Sequence, residues 1–198
     1  MYPNREEAER ILKEAEELNP GVWADHSRTT AHCAGKIAEY SGMDSEKAYV
    51  LGLLHDIGRR FGRSYLRHVS DGYSYMMSLG YDDVARVCLT HSFSNRQIET
   101  YVGDFDTTEE ETKLLRTKLA EVTIDDYDNL IKMCDAIAGT EGVMNILDRM
   151  EDVRSRYGRY DPGMRKENLE LVEYFERKMG MNLYEAVEKD TYKPSDHR

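Results

Sequence analysis

At 198 residues, with an apolar fraction of 40% and 33% charged residues, the chain is long enough to bury one sizeable core and has the composition of a helical globular protein. Its formal net charge of -11 excludes a broad nucleic-acid or anionic-membrane surface, since both are held by clustered Lys and Arg. No apolar run is long enough to cross a membrane and no basic leader precedes an apolar stretch, so a soluble, cytoplasmic protein is expected.

Asn4 and Glu7 stand at capping-box spacing ahead of Ala8, Ile11, Leu12 and Ala15, which share a face, and Asn19-Pro20-Gly21 closes this packing helix over 4–18. Asp25 is the expected N-cap of a helix over 26–41, whose inward face runs from His26 and Thr30 to Ala34, Ile37 and Ala38. His32, further along that helix, is turned about 240° away from His26. Gly42 ends the helix, and Asp44 or Ser45 caps the next, an almost wholly apolar run that finishes at His55-Asp56-Ile57-Gly58. The short connection makes the two helices antiparallel neighbours and brings His26 and His55 to the same end of the pair. Gly58 is the expected stop, with Arg59-Arg60-Phe61-Gly62-Arg63 leading away.

A helix over 66–79 carries His68, Gly72, Tyr75, Met76 and Leu79 on its inward stripe. Another, over 82–92, ends the stripe of Val84, Val87 and Cys88 with His91, repeating the arrangement at His55. Residues 93–124 look like an insertion: a polar loop in which Phe93, Tyr101 and Phe105 could cover a pocket, then a helix over 109–120 boxed by Thr108 and Glu111. A lid is one reading of it; an added packing or oligomer element is another. In 125–139, Asp128, Ile131, Asp135 and Ala138 share a face, so Asp135 is a carboxylate among apolar neighbours, while Asp125 and Asp126 suit the helix start. Helices over 142–156 and from Asp161-Pro162 to Gly180, then a turn capped by Asn182 and Glu185, complete the chain; the tail around His197 is expected to fray. With no alternating strand, linker or repeat, the expected fold class is all-α. One domain over 1–198 is expected, with a core of about 22–140 and C-terminal helices 141–188 packed on it.

His26, His55, Asp56, His68, His91 and Asp135 all fall at apolar helix faces or ends. A lone histidine in such a place is usually a hydrogen-bonded core residue, but this many together make a candidate metal-binding set. Imidazole and carboxylate without thiolate suit Fe, Mn, Co or Zn ions that carry a reactive water, whereas structural zinc sites favour cysteine. The three cysteines, Cys33, Cys88 and Cys134, are odd in number and embedded in apolar stretches, as reduced core thiols are. The chain has no H-E-x-x-H, Walker loop, G-x-S-x-G or G-x-G-x-x-G.

The segments Asp25-His26-Ser27, Leu53-Leu54-His55-Asp56-Ile57-Gly58 and Cys134-Asp135-Ala136, with His68 and His91 between them, resemble the ligand-bearing segments of the HD (histidine-aspartate) superfamily of metal-dependent phosphohydrolases. The resemblance covers about residues 22–140, and the added histidines are similar to those of the bimetallic branches. It implies an HD-domain helical bundle with a buried metal site for one or two divalent transition ions, Fe or Mn favoured and Co, Zn or Mg as alternatives. It implies that His26, His55, Asp56 and Asp135 hold one ion, and that Asp56 bridges to a second held by His68 and His91. The implied reaction is hydrolysis of a small phosphorylated molecule, a nucleotide or dinucleotide favoured, by a metal-activated hydroxide.

After His-Asp-Ile-Gly this chain has Arg59 where many members with that motif carry lysine. Arg59 is the expected phosphate contact within the cluster Arg59, Arg60, Arg63 and Arg67, which a solvated turn explains equally well. Asp25 and Asp128 are candidates to orient ligand imidazoles, and Tyr65 or Tyr73 to stack on a base, although capping and packing also account for them. Two other functions stay open: an HD-type di-iron oxygenase cleaving a C–C or C–P bond, and a non-catalytic nucleotide-sensing module. Neither polymeric nucleic acid nor a membrane is an expected partner.

Overall fold

The computed structural model describes residues 1–194; the expected fraying around His197 lies outside them. Its α-helices follow in the order α1 Arg5–Leu18, α2 Trp23–Tyr40, α3 Ser45–Leu54, α4 Arg67–Ser78, α5 Asp82–Thr90, α6 Glu109–Glu121, α7 Asp126–Asp135, α8 Ile146–Tyr157, α9 Pro162–Met179 and α10 Leu183–Ala186. Short 3-10 helices at Ile57–Phe61 and Ile98–Thr100 lie between α3 and α4 and between α5 and α6. Among the described residues there is no strand, only an isolated antiparallel bridge between Ala138 and Val143, and the fold is all-α. No helix among them is long and apolar enough to cross a membrane.

The antiparallel pair α2–α3 is the centre of the bundle. Its close approach follows from Gly52, where a Cβ would come within 2.9 Å of Ala31 Cα. The last turns of α3 are covered on every side, and Leu51, Leu53 and Leu54 are wholly buried, each contributing about 1.5–3 kcal/mol. Helix α7 touches α2, α3, α5 and α9, which lays its C-terminal end across the pair.

Several boundaries differ from the sequence expectation for local reasons. Helix α2 already begins at Trp23, because the Trp23 indole N–H donates to Asn19 O at 2.8 Å and ties the preceding turn. Asp25 therefore lies inside the first turn, 3.2 Å from Arg28 Nη1, and is not its N-cap. Gly58 does not stop α3, which ends at Leu54. It lies in the 3-10 segment, where a Cβ would come 2.0 Å from the His68 carbonyl oxygen, so glycine is required for that segment to lie on α4. Leu79 is 44% exposed, because the inward stripe of α4 ends at Met76 before the turn at Gly80. Helix α8 starts only at Ile146, since the preceding residues form a tight reversal in which Met144 N donates to Ile137 O at 2.8 Å.

The 93–124 segment has a small core of its own. Phe93, Ile98, Leu115 and Leu119 are buried with Leu66, Val69 and Leu89, which fastens α6 and its loop to α4 and α5. Phe93 is thus a packing residue, and Phe105 is 43% exposed.

Candidate metal centre

Each of the six expected ligands comes from the end of an element. His26 lies in the first turn of α2, His55 caps the C-terminus of α3 and Asp56 precedes the 3-10 segment; His68 opens α4, His91 follows α5 and Asp135 closes α7. Helix ends are where a side chain can leave the apolar stripe and turn into a shared space without breaking the ladder.

The structure brings all six together. His26 Nε2 is 3.0 Å from Asp135 Oδ1, and His55 Nε2 is 4.0 Å from both Asp135 Oδ1 and Asp56 Oδ2. On the other side, Asp56 Oδ1 lies 3.1 Å from His68 Nε2 and 3.5 Å from His91 Nε2, and those two nitrogens are 3.3 Å apart. The histidines and Asp56 are buried, whereas the Asp135 side chain is 28% exposed and so forms the open edge of the cluster.

The orientation of the rings decides what they can bind. His26 Nδ1 donates to Ala138 O at 3.1 Å, His55 Nδ1 to Gly52 O at 2.7 Å and His91 Nδ1 to Cys88 O at 3.0 Å, while His68 Nδ1 donates to Tyr65 O. A proton on each Nδ1 leaves each Nε2 with a lone pair directed at the others and at the carboxylates. Backbone carbonyls thus orient the rings, a role for which Asp25 and Asp128 are candidates in the sequence beside ordinary capping. Asp128 instead accepts from Thr90 Oγ1 at 2.8 Å and from the Asp125 amide at 2.9 Å, as a helix cap.

Burial pushes the His55 imidazole down to about 4 and, with Arg59, lowers His68. For His91 burial works the same way, but the Asp56 carboxylate outweighs it and raises the pKa. Burial disfavours the Asp56 carboxylate, yet Arg59, His68 and His55 hold it well below the usual range. Asp135 is likewise held down, against burial, by His26.

These features fit a divalent transition ion. His55 Nε2 and Asp56 Oδ1 are buried with no hydrogen-bond partner among the described residues, a costly state that coordination would remove. Among the described residues two groups have possible ligand atoms within 4.8 Å of one another: His26, His55 and Asp135, and His55, Asp56 and His91. His68 stands against the second. Cys88 contributes no ligand, because its thiol is turned to Leu54 O at 3.4 Å.

The cluster floors a cavity of about 1080 Å³. The arginine cluster divides around it. Arg59 Nε donates to Asp56 Oδ2 at 2.6 Å and, with Arg63, Arg59 lines the cavity. Arg60 lies over the Tyr75 ring at 4.0 Å, and Arg67 pairs with Glu111 at 3.0 Å. Tyr65 and Tyr73 pack against the small core around α6 and do not line the cavity, whereas Tyr101, Lys132, Arg149, Tyr160 and Asn168 do. Lys132 was detectable as a cation one turn before Asp135, and Asn168 as a polar residue one turn after Met164 on an inward face. Arg149 Nε also donates, at 3.0 Å, to the Ala138 carbonyl that orients His26, so α8 reaches the cluster directly.

A model of the HD domain family matches residues 23–140, a span that contains all six clustered side chains. Among solved structures, the HD domain of the L. monocytogenes phosphodiesterase PgpH is similar with a TM-score of 0.51 and 17% identity, covering 81% of this chain and 94% of that one. At that identity the likeness is one of fold. A search of curated proteins found no match.

Proposed function

The chain belongs to the HD-domain family, and from that premise we propose that it is a metal-dependent phosphohydrolase acting on a small phosphorylated molecule, a nucleotide or dinucleotide. The observation that carries the reading is the convergence of four imidazole lone pairs on two ionised carboxylates at the floor of a cavity with basic side chains in its walls. His26, His55 and Asp135 would hold one ion, and His55, Asp56 and His91, with His68 beside them, a second. Ions bound there, Fe or Mn in our reading, supply Lewis-acid neutralisation of phosphate oxygens and lower the pKa of a coordinated water.

The chain's own residues do the rest. Arg59 fixes the Asp56 carboxylate through Nε and reaches Ser64 O with Nη1 at 3.4 Å, which leaves Nη2 for a phosphate oxygen. Arg63 extends the cationic wall outward. Asp135, open to the cavity and ionised, meets substrate first among the ligands. No nucleophilic side chain is required.

Protein loaded with Mn²⁺ or Fe²⁺ should release phosphate from p-nitrophenyl phosphate or from a nucleoside phosphate in a small panel. Asp56→Ala, checked for folding by circular dichroism, should lose more than about 100-fold, since changing residues that merely orient ligands already costs about 10- to 100-fold. Activity retained in that variant would remove the mechanism. Dioxygen uptake without phosphate release would replace hydrolysis with oxygenase chemistry.

A further inference from the structure

The cavity is far larger than a phosphate requires; at about 1080 Å³ it has the size of a nucleotide-type ligand site. Its outer wall comes from α8 and α9, beyond the residues that the family model matches. Met150, Tyr157, Tyr160 and Met164 line that wall with thioether and aromatic surface, and Asn168 is buried among them at 2% exposure. The Asn168 amide nitrogen donates to the Tyr160 hydroxyl at 3.0 Å, while its oxygen has no partner among the described residues. Turning the amide over would exchange which end is unpaired, and one end would still be unpaired. A buried amide with an unmet hydrogen-bonding end costs stability unless a water or a ligand in the cavity meets it. The wall is also tied to the metal cluster: Lys132, one turn before Asp135, pairs at 2.7 Å with Glu167, the neighbour of Asn168.

We infer that this outer part of the cavity is a subsite for the base of a nucleoside phosphate, read by the Asn168 amide and the Tyr160 hydroxyl and packed by the aromatic and methionine side chains around them. An amide offers a donor and an acceptor side by side, the complement of a base edge, and flat apolar surfaces hold the ring faces. The inference takes its phosphate end from the hydrolase reading and adds the other half of the substrate, with Asn168 and Tyr160 as specificity-determining residues.

Binding tests it directly. The chain's single tryptophan, Trp23, lines the cavity, so its emission reports occupancy alongside calorimetry. Full-length, Mn²⁺-loaded protein is titrated with the non-hydrolysable nucleoside 5′-methylenephosphonates of adenine, guanine, cytosine and uracil, and with the base-free ribose analogue. At least one nucleoside probe should bind about tenfold or more tightly than the base-free one, the upper end of what one net hydrogen bond to the base contributes. Asn168→Leu should reduce that advantage to about twofold or less and leave the base-free probe unchanged. Tyr160→Phe keeps the ring, removes the hydroxyl and should cost about threefold or more; it decides the matter if Asn168→Leu does not fold. Equal affinity with and without a base, or an advantage that survives in the folded variants, overturns the subsite. Base-dependent binding by protein that releases no phosphate from the hydrolysable nucleoside phosphates of the activity panel would instead remove the hydrolase reading and leave the subsite standing.

Discussion

Protonating His55 means placing a charge on a side chain with 0% exposure that already faces two other imidazoles. Burial sets its pKa at about 4 in the folded chain, against an ordinary 6.5. Between those values the unfolded chain binds more protons than the folded one, so stability falls as the pH drops from about 6.5 to about 4 and this contribution is then spent. The loss for His55 is on the order of 3 kcal/mol. His68, also lowered, adds to it, and His91, raised by Asp56, opposes it. Urea melts of chelator-treated protein at pH 6.5 and 4.5 should therefore show a net acid loss that is smaller in His55→Gln. A pH-independent midpoint would mean that the cluster is not held neutral at His55. The positions of the six side chains were legible in the sequence, because each ends an apolar stripe where an unpaired polar group is hard to explain. Their orientation was not, because it is set by the carbonyls of Gly52, Tyr65, Cys88 and Ala138, and a backbone acceptor leaves no mark on the residue type. For the same reason the sequence offered several arginines after His-Asp-Ile-Gly, and only the fold turns Arg59 onto Asp56.

At the scale of elements, the clustered side chains are in place because two helix pairs approach more closely than side chains allow. Gly52 lets α3 lie on α2, which aligns His55 with His26; Gly58 lets the 3-10 segment lie on α4, which aligns Asp56 with His68. The clash at Gly58 is with backbone, at 2.0 Å from His68 O and 2.6 Å from Gly72 N, so no rotamer change relieves it. Gly58→Ala should cost about 3 kcal/mol or more in a denaturant melt, the upper range of overpacking, and should weaken Mn²⁺ binding further by moving His68 away from Asp56. A variant with normal stability and metal content would show that α4 shifts freely, against this account. The helices themselves follow their apolar periodicity and caps, as at Asn4, Asp44, Thr108 and Asp161. Where the sequence misplaced a boundary, a long-range contact intervened: the Trp23 indole extends α2, and the Ala138 to Val143 reversal delays α8. The same limit hid the outer cavity wall, since α8 and α9 read as ordinary packing helices until they are seen beside Asp135.

For the whole molecule, the clustered side chains span His26 to Asp135 and sit within or at the ends of α2, α3, α4, α5 and α7, so bound ions would cross-link most of the bundle at one point. They would also offset repulsion in a chain of net charge -11, at the place where two carboxylates are held ionised. A ligand that binds only the folded state stabilises it by mass action, about 2.7 kcal/mol at a free concentration 100 times its Kd. For a domain of this size that corresponds to a rise in Tm of about 5–10 °C. Differential scanning of chelator-treated protein should show such a rise with Mn²⁺, and Asp135→Asn, which alters one end of the cluster, should reduce it. Calcium separates this from general attraction to an acidic surface: carboxylates on the surface take Ca²⁺ and Mn²⁺ alike, whereas a site with four imidazoles favours the transition ion. Equal shifts from the two ions at equal concentration would place the stabilising metal on the surface, and the cluster would then be held together by its protons alone.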